Sequence, residues 1–421
     1  MHCSLNILIV ALGSAGDTHP FVALGQTLQR RGHRVTLLAN GVFESLVNSA
    51  GLAFVPLNTA EEYHELTRNP DLWHPTRAFP VVMDAALVSA RRQIDLLQPR
   101  IEEGNTVIIG SNIALGARLA RDKFHVPTAM VHLSPIIIRS IEAPPVFGGL
   151  PLPRRSPRWL KRAVFTLLDV AIVNRAVMPR LNDFAAEIGL PAIKAGFFDW
   201  IHSPDLTIGL FPAWFAPPQS DWPASIRLTG FPLYDERDVA GVPAVIEDFL
   251  AAGSPPVIFT PGSAMRFGQG FFAAAVSTCN RLGRRAILLT RYKEQIPPSL
   301  PSGVIHADYV PLSLILPRSA ALVHHGGIGT MSQALAAGVP QVVMPMAHDQ
   351  HDNADRARRL GVSQTVPGRR FSARTLTRAL TLLLDKAAVA DAARQVAGRF
   401  KDHSPLEDTA AAIEGLIHGS A

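Results

Sequence analysis

With 421 residues, 48% of them hydrophobic, the chain is long enough for two domains that each have an apolar core. The formal net charge of +6 is compatible with nucleic acid, a membrane surface or an anionic substrate as a partner. No basic run with interleaved aromatic residues occurs, so no nucleic-acid partner is expected. Two cysteines, Cys3 and Cys279, are too few for a disulfide framework and indicate a cytoplasmic protein. No uncharged apolar run approaches the ~18 residues of a membrane span.

In the first half of the chain, short apolar strand candidates alternate with helical stretches. The predicted strands are 6–12, 34–39, 106–110, 128–132 and 206–210. A glycine-rich turn at 13–20 joins the first strand to a helix predicted over 20–31, and the turn lacks the G-x-G-x-x-G dinucleotide fingerprint. This alternation predicts a parallel sheet covered by helices on both faces.

A basic and apolar segment follows at 153–181. Five basic residues lie before its apolar stretch: Arg154, Arg155, Arg158, Lys161 and Arg162. The apolar remainder contains one acidic residue, Asp169. Two interpretations stay open for this segment. It is either an amphipathic lid or membrane-surface helix, which would give a peripheral membrane association, or a core helix with a solvated basic end.

The strand–helix pattern restarts after a segment rich in proline and aromatic residues at 212–243, and we place the hinge near Gly230. The later predicted strands are 256–260, 286–289, 321–324 and 341–344. The sequence therefore predicts an α/β protein with two doubly wound, Rossmann-like domains, 1–229 and 230–403. The strands of both sheets would end at one central cleft, because such sheets bind ligands at the carboxyl ends of their strands.

The glycine-rich turn 324–330 joins a predicted strand to a predicted helix. Its small residues let a ligand approach the backbone, and the first N–H groups of the helix have no partners inside it. Together with the helix dipole, these groups form an anion site, to which His325 and Thr330 add side-chain donors. Downstream, the Asp349 carboxylate and the Gln350 amide suit neighbouring sugar hydroxyls. The pattern predicts a nucleotide-sugar site, and an ordinary βαβ unit with a glycine turn is the alternative.

The order of these residues resembles the donor-binding signature of family-1 glycosyltransferases, which are inverting, metal-independent enzymes of the GT-B fold. The matching positions are His325, Gly327, Gly329, Thr330, Gly338-Val339-Pro340, Asp349-Gln350 and Asn353-Ala354. The resemblance implies the GT-B fold for the whole chain. It also implies that the last segment, 404–421, is a helix that crosses back to the N-terminal domain.

The resemblance assigns further residues to the sugar-donor site. Ser263 would contact the diphosphate, although a plain turn serine is the alternative. Tyr309-Val310-Pro311 matches a W-x-P motif whose backbone pairs with the nucleobase while the aromatic ring stacks, and Tyr309 as simple packing is the alternative. Gln333 stands where many enzymes that use UDP-sugars have a ribose-binding glutamate, which favours a dTDP donor.

The resemblance also places the catalytic base. Many members carry histidine where this chain has Asp17, and a subset carries aspartate there. Inverting transfer needs a base that removes the proton of the acceptor hydroxyl, so Asp17 is the candidate and His19 is the fallback. The alternative for Asp17 is an N-cap of the helix near Pro20. The region 109–113 contains no carboxylate, so no orienting acid is expected.

The segments 13–17, 203–223 and 326–341 further resemble the rhamnosyltransferases of bacterial rhamnolipid synthesis and related natural-product glycosyltransferases. The expected activity is transfer of a hexose, rhamnose or glucose, from a dTDP- or UDP-sugar to a hydroxyl of a lipophilic acceptor. A nucleotide-sugar epimerase and a non-catalytic nucleotide-sugar-binding subunit are the alternatives. No cofactor or metal is expected, although His348 and His351, if they shared a helix face, would favour a metal.

Overall fold

The computed structural model describes residues 4–148, 152–153, 155–237, 240–401 and 403–418, so Cys3 and Arg154 lie outside the described residues. The chain divides into two compact units. The first unit consists of Met1–Pro232 with Ser404–Ala421, and the second consists of Leu233–His403. Each unit is built on one parallel sheet, which confirms the prediction of two α/β domains.

The sheet of the first unit has seven strands in the order β3-β2-β1-β4-β5-β6-β7. These are β1 Asn6–Ala11, β2 Arg34–Asn40, β3 Ala53–Asn58, β4 Thr106–Ser111, β5 Thr128–His132, β6 Leu206–Gly209 and β7 Ile226–Leu228. In β1, which pairs with β2 and β4, all six residues are buried. This continuous apolar run is expected for a parallel strand covered on both faces.

The helices of the first unit connect these strands. They are α1 Ala15–Arg30, α2 Glu44–Ser49, α3 Ala60–Arg68, α4 Ala78–Leu97, α5 Leu115–Phe124, α6 Arg158–Leu168, α7 Asn174–Glu187 and α8 Phe197–Trp200, with a π-helical turn at Asp169–Val173. On one face of the sheet, Leu8 and Ile108 pack in a core with Ala90 of α4, Leu119 of α5 and Leu181 of α7.

Helix α1 begins at Ala15, so the prediction that residues 13–20 form a turn before a helix at 20–31 is wrong. Ser14 is the N-cap and Asp17 lies in the first turn, while Pro20 lies inside the helix. The pattern Ser-x-x-Asp is a capping signal in the sequence. Proline at 20 was therefore a misleading marker of the helix start.

The sheet of the second unit has six strands in the order β10-β9-β8-β11-β12-β13. The strands are β8 Val257–Thr260, β9 Ala286–Leu289, β10 Val304–Ala307, β11 Ala321–His324, β12 Gln341–Val343 and β13 Ser363–Thr365. The helices are α9 Ala244–Ala251, α10 Gln269–Leu282, α11 Leu312–Ile315, α12 Ile328–Ala336, α13 Gln350–Arg359, α14 Ala373–Leu384 and α15 Ala387–Gly398. Successive strand residues such as Ile258 and Phe259 enter two different cores, one on each face of the sheet.

The last helix, α16 Pro405–His418, belongs to the first unit and packs against α1. Arg31, at the end of α1, pairs with Glu407 at 2.9 Å and with Glu414 at 2.6 Å. The buried His33 ring lies 2.9 Å from the Glu414 carboxylate. These contacts hold α16 against the C-terminal end of α1 in the first unit.

Candidate active-site residues

Asp17 lies in the first turn of α1, the helix that follows β1. Its Oδ2 accepts hydrogen bonds from the backbone N–H of Ser14 at 2.7 Å and from Ser14 Oγ at 2.9 Å. Gly13 makes room for this arrangement, because a Cβ at that position would lie 2.4 Å from Asp17 Oδ2. Gly13 also has a φ of 124°, which favours glycine. The carboxylate is therefore held at one position by the turn before it.

Burial raises the pKa of the Asp17 carboxyl above its usual value, and the two hydrogen bonds from Ser14 oppose that rise. A carboxylate with a raised pKa is a stronger base, and this is the direction that general-base catalysis near neutral pH requires. His19 lies two residues further along α1, and side chains at that spacing do not face each other on a helix. Asp17 and His19 therefore occupy different faces of α1.

The neighbouring strand ends without a carboxylate. Ser111, the last residue of β4, accepts a hydrogen bond through Oγ from the backbone N–H of Leu12 at 3.2 Å. This contact joins the ends of β1 and β4, so Ser111 has a part in positioning the turn that carries Asp17.

In the second unit, the turn after β11 carries the predicted diphosphate-binding residues. His324, the last strand residue, is fully buried, and its Nδ1 accepts a hydrogen bond from the N–H of Gly326 at 3.1 Å. Its Nε2 lies 2.9 Å from Gln341 Oε1, to which it donates. Burial lowers the pKa of His324 to about 3, so the ring is neutral and fixes the start of the turn.

The His325 ring lies against the backbone of the turn. A Cβ at Gly327 would lie 2.4 Å from His325 Nε2, so a larger residue at Gly327 would displace the ring. Burial, and then the neighbouring His348, lower the pKa of His325 to about 4. A neutral imidazole still donates one N–H. Within the described residues, His325 Nδ1 is buried without a hydrogen-bond partner.

Helix α12 begins directly after this turn, with Gly327 as its N-cap and no side-chain cap. Gly329 and Thr330 lie in its first turn, where backbone N–H groups have no partner inside the helix. Ser263 is exposed in the turn after β8, the strand that pairs with β11. The parallel pairing brings Ser263 and the glycine turn to the same edge of the sheet.

Asp349 and Gln350 follow β12 at the start of α13. The Gln350 Oε1 atom accepts hydrogen bonds from the N–H groups of Met346 at 2.8 Å and Ala347 at 3.2 Å. The amide oxygen of Gln350 thus holds its own loop, so the predicted sugar contact would have to come from the amide nitrogen.

Asn353 belongs to the donor-binding motif in the sequence, but it is not among the residues predicted for the site. It is fully buried, and its Nδ2 donates to the carbonyl of Gly326 at 3.0 Å and to Asp349 Oδ2 at 2.7 Å. Asn353 therefore connects the glycine turn with the candidate sugar-binding carboxylate. Its place one helical turn after Asp349 was the available signal.

Tyr309 and Val310 are predicted to bind the nucleobase, and they leave different groups available for a ligand. The Tyr309 hydroxyl donates to the carbonyl of Asp235 at 2.7 Å, and burial raises its pKa. The guanidinium of Arg291 lies 5.5 Å from the centre of the Tyr309 ring. Val310 is 1% exposed, so its backbone alone is left for recognition. Gln333 lies one turn after Thr330 on α12 and is largely buried.

His348 and His351 do not share a helix face, contrary to the argument that favoured a metal. His348 precedes α13 and has a left-handed φ of 57°, whereas His351 lies inside the helix. His351 Nε2 lies 3.3 Å from the carbonyl oxygen of Met346. In the described part of the chain, no group of three or more His, Cys, Asp or Glu side chains is arranged to hold a metal ion.

The sequence matches two family models. A model of the C-terminal domain of erythromycin biosynthesis protein CIII-like proteins matches residues 286–413, and a model of the glycosyltransferase family 28 N-terminal domain matches residues 7–98. The chain is 30% identical to O-mycaminosyltylonolide 6-deoxyallosyltransferase of Streptomyces fradiae, over 97% of both chains. The chain belongs to the family-1 glycosyltransferases of the GT-B fold. This membership confirms the family and the expectation of a transferase.

The chain is also similar to proteins that are less than 30% identical to it. A sterol 3-beta-glucosyltransferase of Eremothecium gossypii is 28% identical over 88% of this chain and 31% of the relative. The glycosyltransferase of kitacinnamycin has a TM-score of 0.75 at 22% identity, covering 99% and 100% of the two chains. The spinosyn rhamnosyltransferase SpnG, solved with thymidine diphosphate, has a TM-score of 0.67 at 18% identity, covering 96% and 98%. These structures confirm the predicted fold.

Proposed function

We propose that this glycosyltransferase moves a hexose, rhamnose or glucose, from a dTDP- or UDP-sugar to a hydroxyl of a lipophilic acceptor, with inversion and without a metal. The observation that carries the proposal is the Asp17 carboxyl. It is held by Ser14, has a raised pKa, and lies at the carboxyl edge of the first sheet. A carboxylate in this setting suits a general base.

In the proposed reaction, Asp17 accepts the proton of the acceptor hydroxyl as that oxygen attacks the anomeric carbon. The new C–O bond forms while the bond between the anomeric carbon and the diphosphate oxygen breaks, and its electron pair leaves with the diphosphate. Attack from the side opposite the leaving group inverts the anomeric centre.

The second unit would bind the sugar donor. The uncapped N-terminus of α12, together with His325, Thr330 and Ser263, suits a diphosphate and the charge that grows on it during transfer. Because His325 is neutral, it would act as a hydrogen-bond donor and not as a cation. Asp349, held by Asn353, suits sugar hydroxyls as an acceptor.

The nucleotide is proposed to be dTDP in preference to UDP. Gln333 replaces a ribose-binding carboxylate, and a deoxyribose has no 2′-hydroxyl to offer such a carboxylate. A buried glutamate facing deoxyribose would lose a partner and its desolvation would be uncompensated, which glutamine avoids. The relative that was solved with thymidine diphosphate is in line with this choice.

We propose lipophilic acceptors such as hydroxy fatty acids, flavonoids, macrolides or sterol-like aglycones, in line with the similarity to an O-mycaminosyltylonolide 6-deoxyallosyltransferase and to a sterol 3-beta-glucosyltransferase. We propose that the reaction takes place in the cytoplasm and that the enzyme associates peripherally with the inner face of the membrane. No helix within the described residues is both long enough and apolar enough to cross a membrane.

Mass spectrometry of products from a panel of dTDP- and UDP-sugars with lipophilic acceptors tests the function. We expect an acceptor mass increased by one hexosyl or deoxyhexosyl residue, together with release of the nucleoside diphosphate. An isomerised sugar nucleotide formed without acceptor would replace the proposal with an epimerase. Tight nucleotide-sugar binding without any turnover on the panel would replace it with a binding subunit.

A further inference from the structure

Helix α6 and the π-helical turn after it expose an apolar face. Trp159 is 71% exposed, Leu167 is 66% exposed and Val170 is 63% exposed. With Ala163 and Thr166 they line an open hollow of about 780 Å³. Residues at these spacings lie along one side of a helix. A monomeric soluble protein rarely leaves several large apolar side chains exposed together unless they bind something.

The same segment already has its own buried face. Lys161, Phe165 and Val173 are buried, and the Phe165 ring packs edge-on against Phe147 with ring centres 6.4 Å apart. The core therefore covers one side of the segment, and Trp159 and Leu167 lie outside it. Their exposure is a property of the folded unit and does not come from a helix that lacks packing.

The charges beside this apolar face are positive. Arg155 and Arg162 are exposed and make no ion pair with the described residues, while Arg158 pairs with Glu142. The one acidic residue of the segment, Asp169, pairs with Arg139. Uncompensated arginines next to exposed apolar side chains select an anionic surface that also has an apolar layer.

We propose that Trp159, Leu167 and Val170 with Arg155 and Arg162, here called the α6 face, bind the surface of a bilayer that contains anionic lipids. Tryptophan places its ring at the boundary between apolar and polar layers, and the leucine and valine side chains reach the acyl chains. The guanidinium groups bind lipid phosphates. The proposal rests on the peripheral membrane association included in the proposed function and names the surface that makes it. It uses no residue assigned to catalysis or to the sugar donor.

Co-sedimentation with vesicles tests this proposal on the full-length protein without sugar donor or acceptor. Phosphatidylcholine vesicles with phosphatidylglycerol should bind the protein at low salt, and pure phosphatidylcholine vesicles should bind it far less. Rising salt should release it, because the Debye length falls from ~10 Å at 0.1 M to ~3 Å at 1 M. Absence of binding to the anionic vesicles at low salt would overturn the proposal.

Paired variants separate the α6 face from the overall charge. Arg155→Gln with Arg162→Gln should weaken binding, by about fivefold for each arginine. Arg369→Gln with Arg370→Gln removes two exposed charges from the second unit and should leave binding nearly unchanged. Equal losses in both pairs would show that net charge alone attracts the vesicles, which would contradict the proposal.

The apolar part is tested in the same way. Trp159→Ser with Leu167→Ser should weaken vesicle binding by about tenfold or more, since each large apolar side chain adds to the affinity for a membrane. Val88→Ser, at a residue of α4 that is 63% exposed, is the matched control. Thermal unfolding and transfer to a water-soluble acceptor should stay near wild type in all these variants, so failure of membrane binding is distinguishable from failure of the enzyme.

Tryptophan fluorescence gives the position of the α6 face on the membrane. Brominated lipids should quench the emission of the wild-type protein and should quench the Trp159→Phe variant much less. A protein partner or a second copy of the chain would give a different result. Light scattering that shows a dimer lost in the Trp159→Ser, Leu167→Ser variant would mean that a second copy covers this face, and the proposal would be wrong.

Discussion

The turns after β1 and after β11 each lead from an inner strand of a sheet into a helix, but the N-termini of these two helices differ in their capping. In the first unit, Asp17 supplies a carboxylate from within the helix and binds Ser14. In the second unit, the N-cap is Gly327, and no side chain caps α12. An N-terminus attracts negative charge in both cases.

This difference separates two chemical roles. A carboxylate that the chain itself supplies stays in place between reactions and is available as a base. An N-terminus without a cap keeps its N–H groups for an external anion, such as a diphosphate, which arrives and departs with the substrate. The comparison is therefore in line with the proposal that Asp17 accepts the proton and that the second unit binds the leaving group.

Replacement of Asp17, the proposed base of the first unit, should lower the rate more than any other change considered below. Asp17→Asn keeps the size of the side chain but removes its basicity, so we expect kcat to fall about 10²- to 10⁴-fold. Binding of the sugar nucleotide, measured by calorimetry, should stay near wild type. Normal turnover in this variant would remove Asp17 from the mechanism and leave His19 as the base to test.

The pH profile sharpens that test. In the proposed mechanism the deprotonated Asp17 is the active form, so kcat/KM should fall as pH decreases through its raised pKa. Ser14→Ala removes a hydrogen bond that lowers this pKa, so the fall should begin at a higher pH, with little loss at high pH. An unchanged profile in Ser14→Ala would show that another group sets the pH dependence.

A prediction for His325 tests the second part of the comparison, the proposed binding of the leaving group by the second unit. His325→Ala should lower kcat/KM by about 10²- to 10³-fold, as removal of a charge-stabilising hydrogen-bond donor typically does. Affinity for the nucleoside diphosphate should fall as well, in contrast to Asp17→Asn. Because His325 has a pKa of about 4 and is neutral above pH 5, its loss should not change the shape of the pH profile there. Chelators should affect neither variant, and inhibition that a divalent ion reverses would contradict the metal-free mechanism.

Another prediction concerns Gly327, which has no side chain and so leaves room for the His325 ring in the turn after β11. Gly327→Ala adds a Cβ that would lie 2.4 Å from His325 Nε2, so the ring or the turn must move. A misplacement of about 1 Å can lower the rate about 10²-fold, and we expect a loss of up to that size in kcat/KM. Gly270→Ala on α10, where nothing lies within 4 Å of the added Cβ, is the control. Equal activity in both variants would show that the position of His325 is not critical.

The smallest expected effect concerns the choice of nucleotide. Gln333→Glu should shift preference from dTDP toward UDP by about 1 kcal/mol, the contribution of one hydrogen bond. Competition titrations of both nucleotides against the sugar donor, on wild type and variant, measure this shift. A wild-type enzyme that strongly prefers UDP, with no change in the variant, would mean that Gln333 does not contact the ribose.

The strands that the sequence predicted and those that it missed differ in their position in the sheets. Inner strands such as β1 and β11 are fully buried, and their continuous apolar runs are visible in the sequence. The four missed strands, β3, β7, β10 and β13, are the edges of the two sheets. Edge strands need less apolar sequence and tolerate proline, as at Pro56 in β3, so the sequence gives a weak signal for them.

The candidate site residues were predictable in type and order from the sequence: the glycine turn with His325 and Thr330, the pair Asp349 and Gln350, and Asp17. Tertiary structure decided which of their atoms are used within the protein. The Gln350 oxygen binds its own loop, and Asn353 holds Asp349 beside Gly326. These partners lie on different elements, and the distances between them are fixed by packing of the sheet and helices.

The α6 segment is a second case in which the sequence alone did not predict the contacts of the side chains. Its sequence has five basic residues before an apolar stretch, and this pattern left two interpretations open, a lid or membrane-surface helix and a core helix. The folded unit decided that Phe165 is buried and that Trp159 and Leu167 are exposed. Apolar residues are usually buried, but the sequence does not show which of them the neighbouring helices and strands cover in the folded protein.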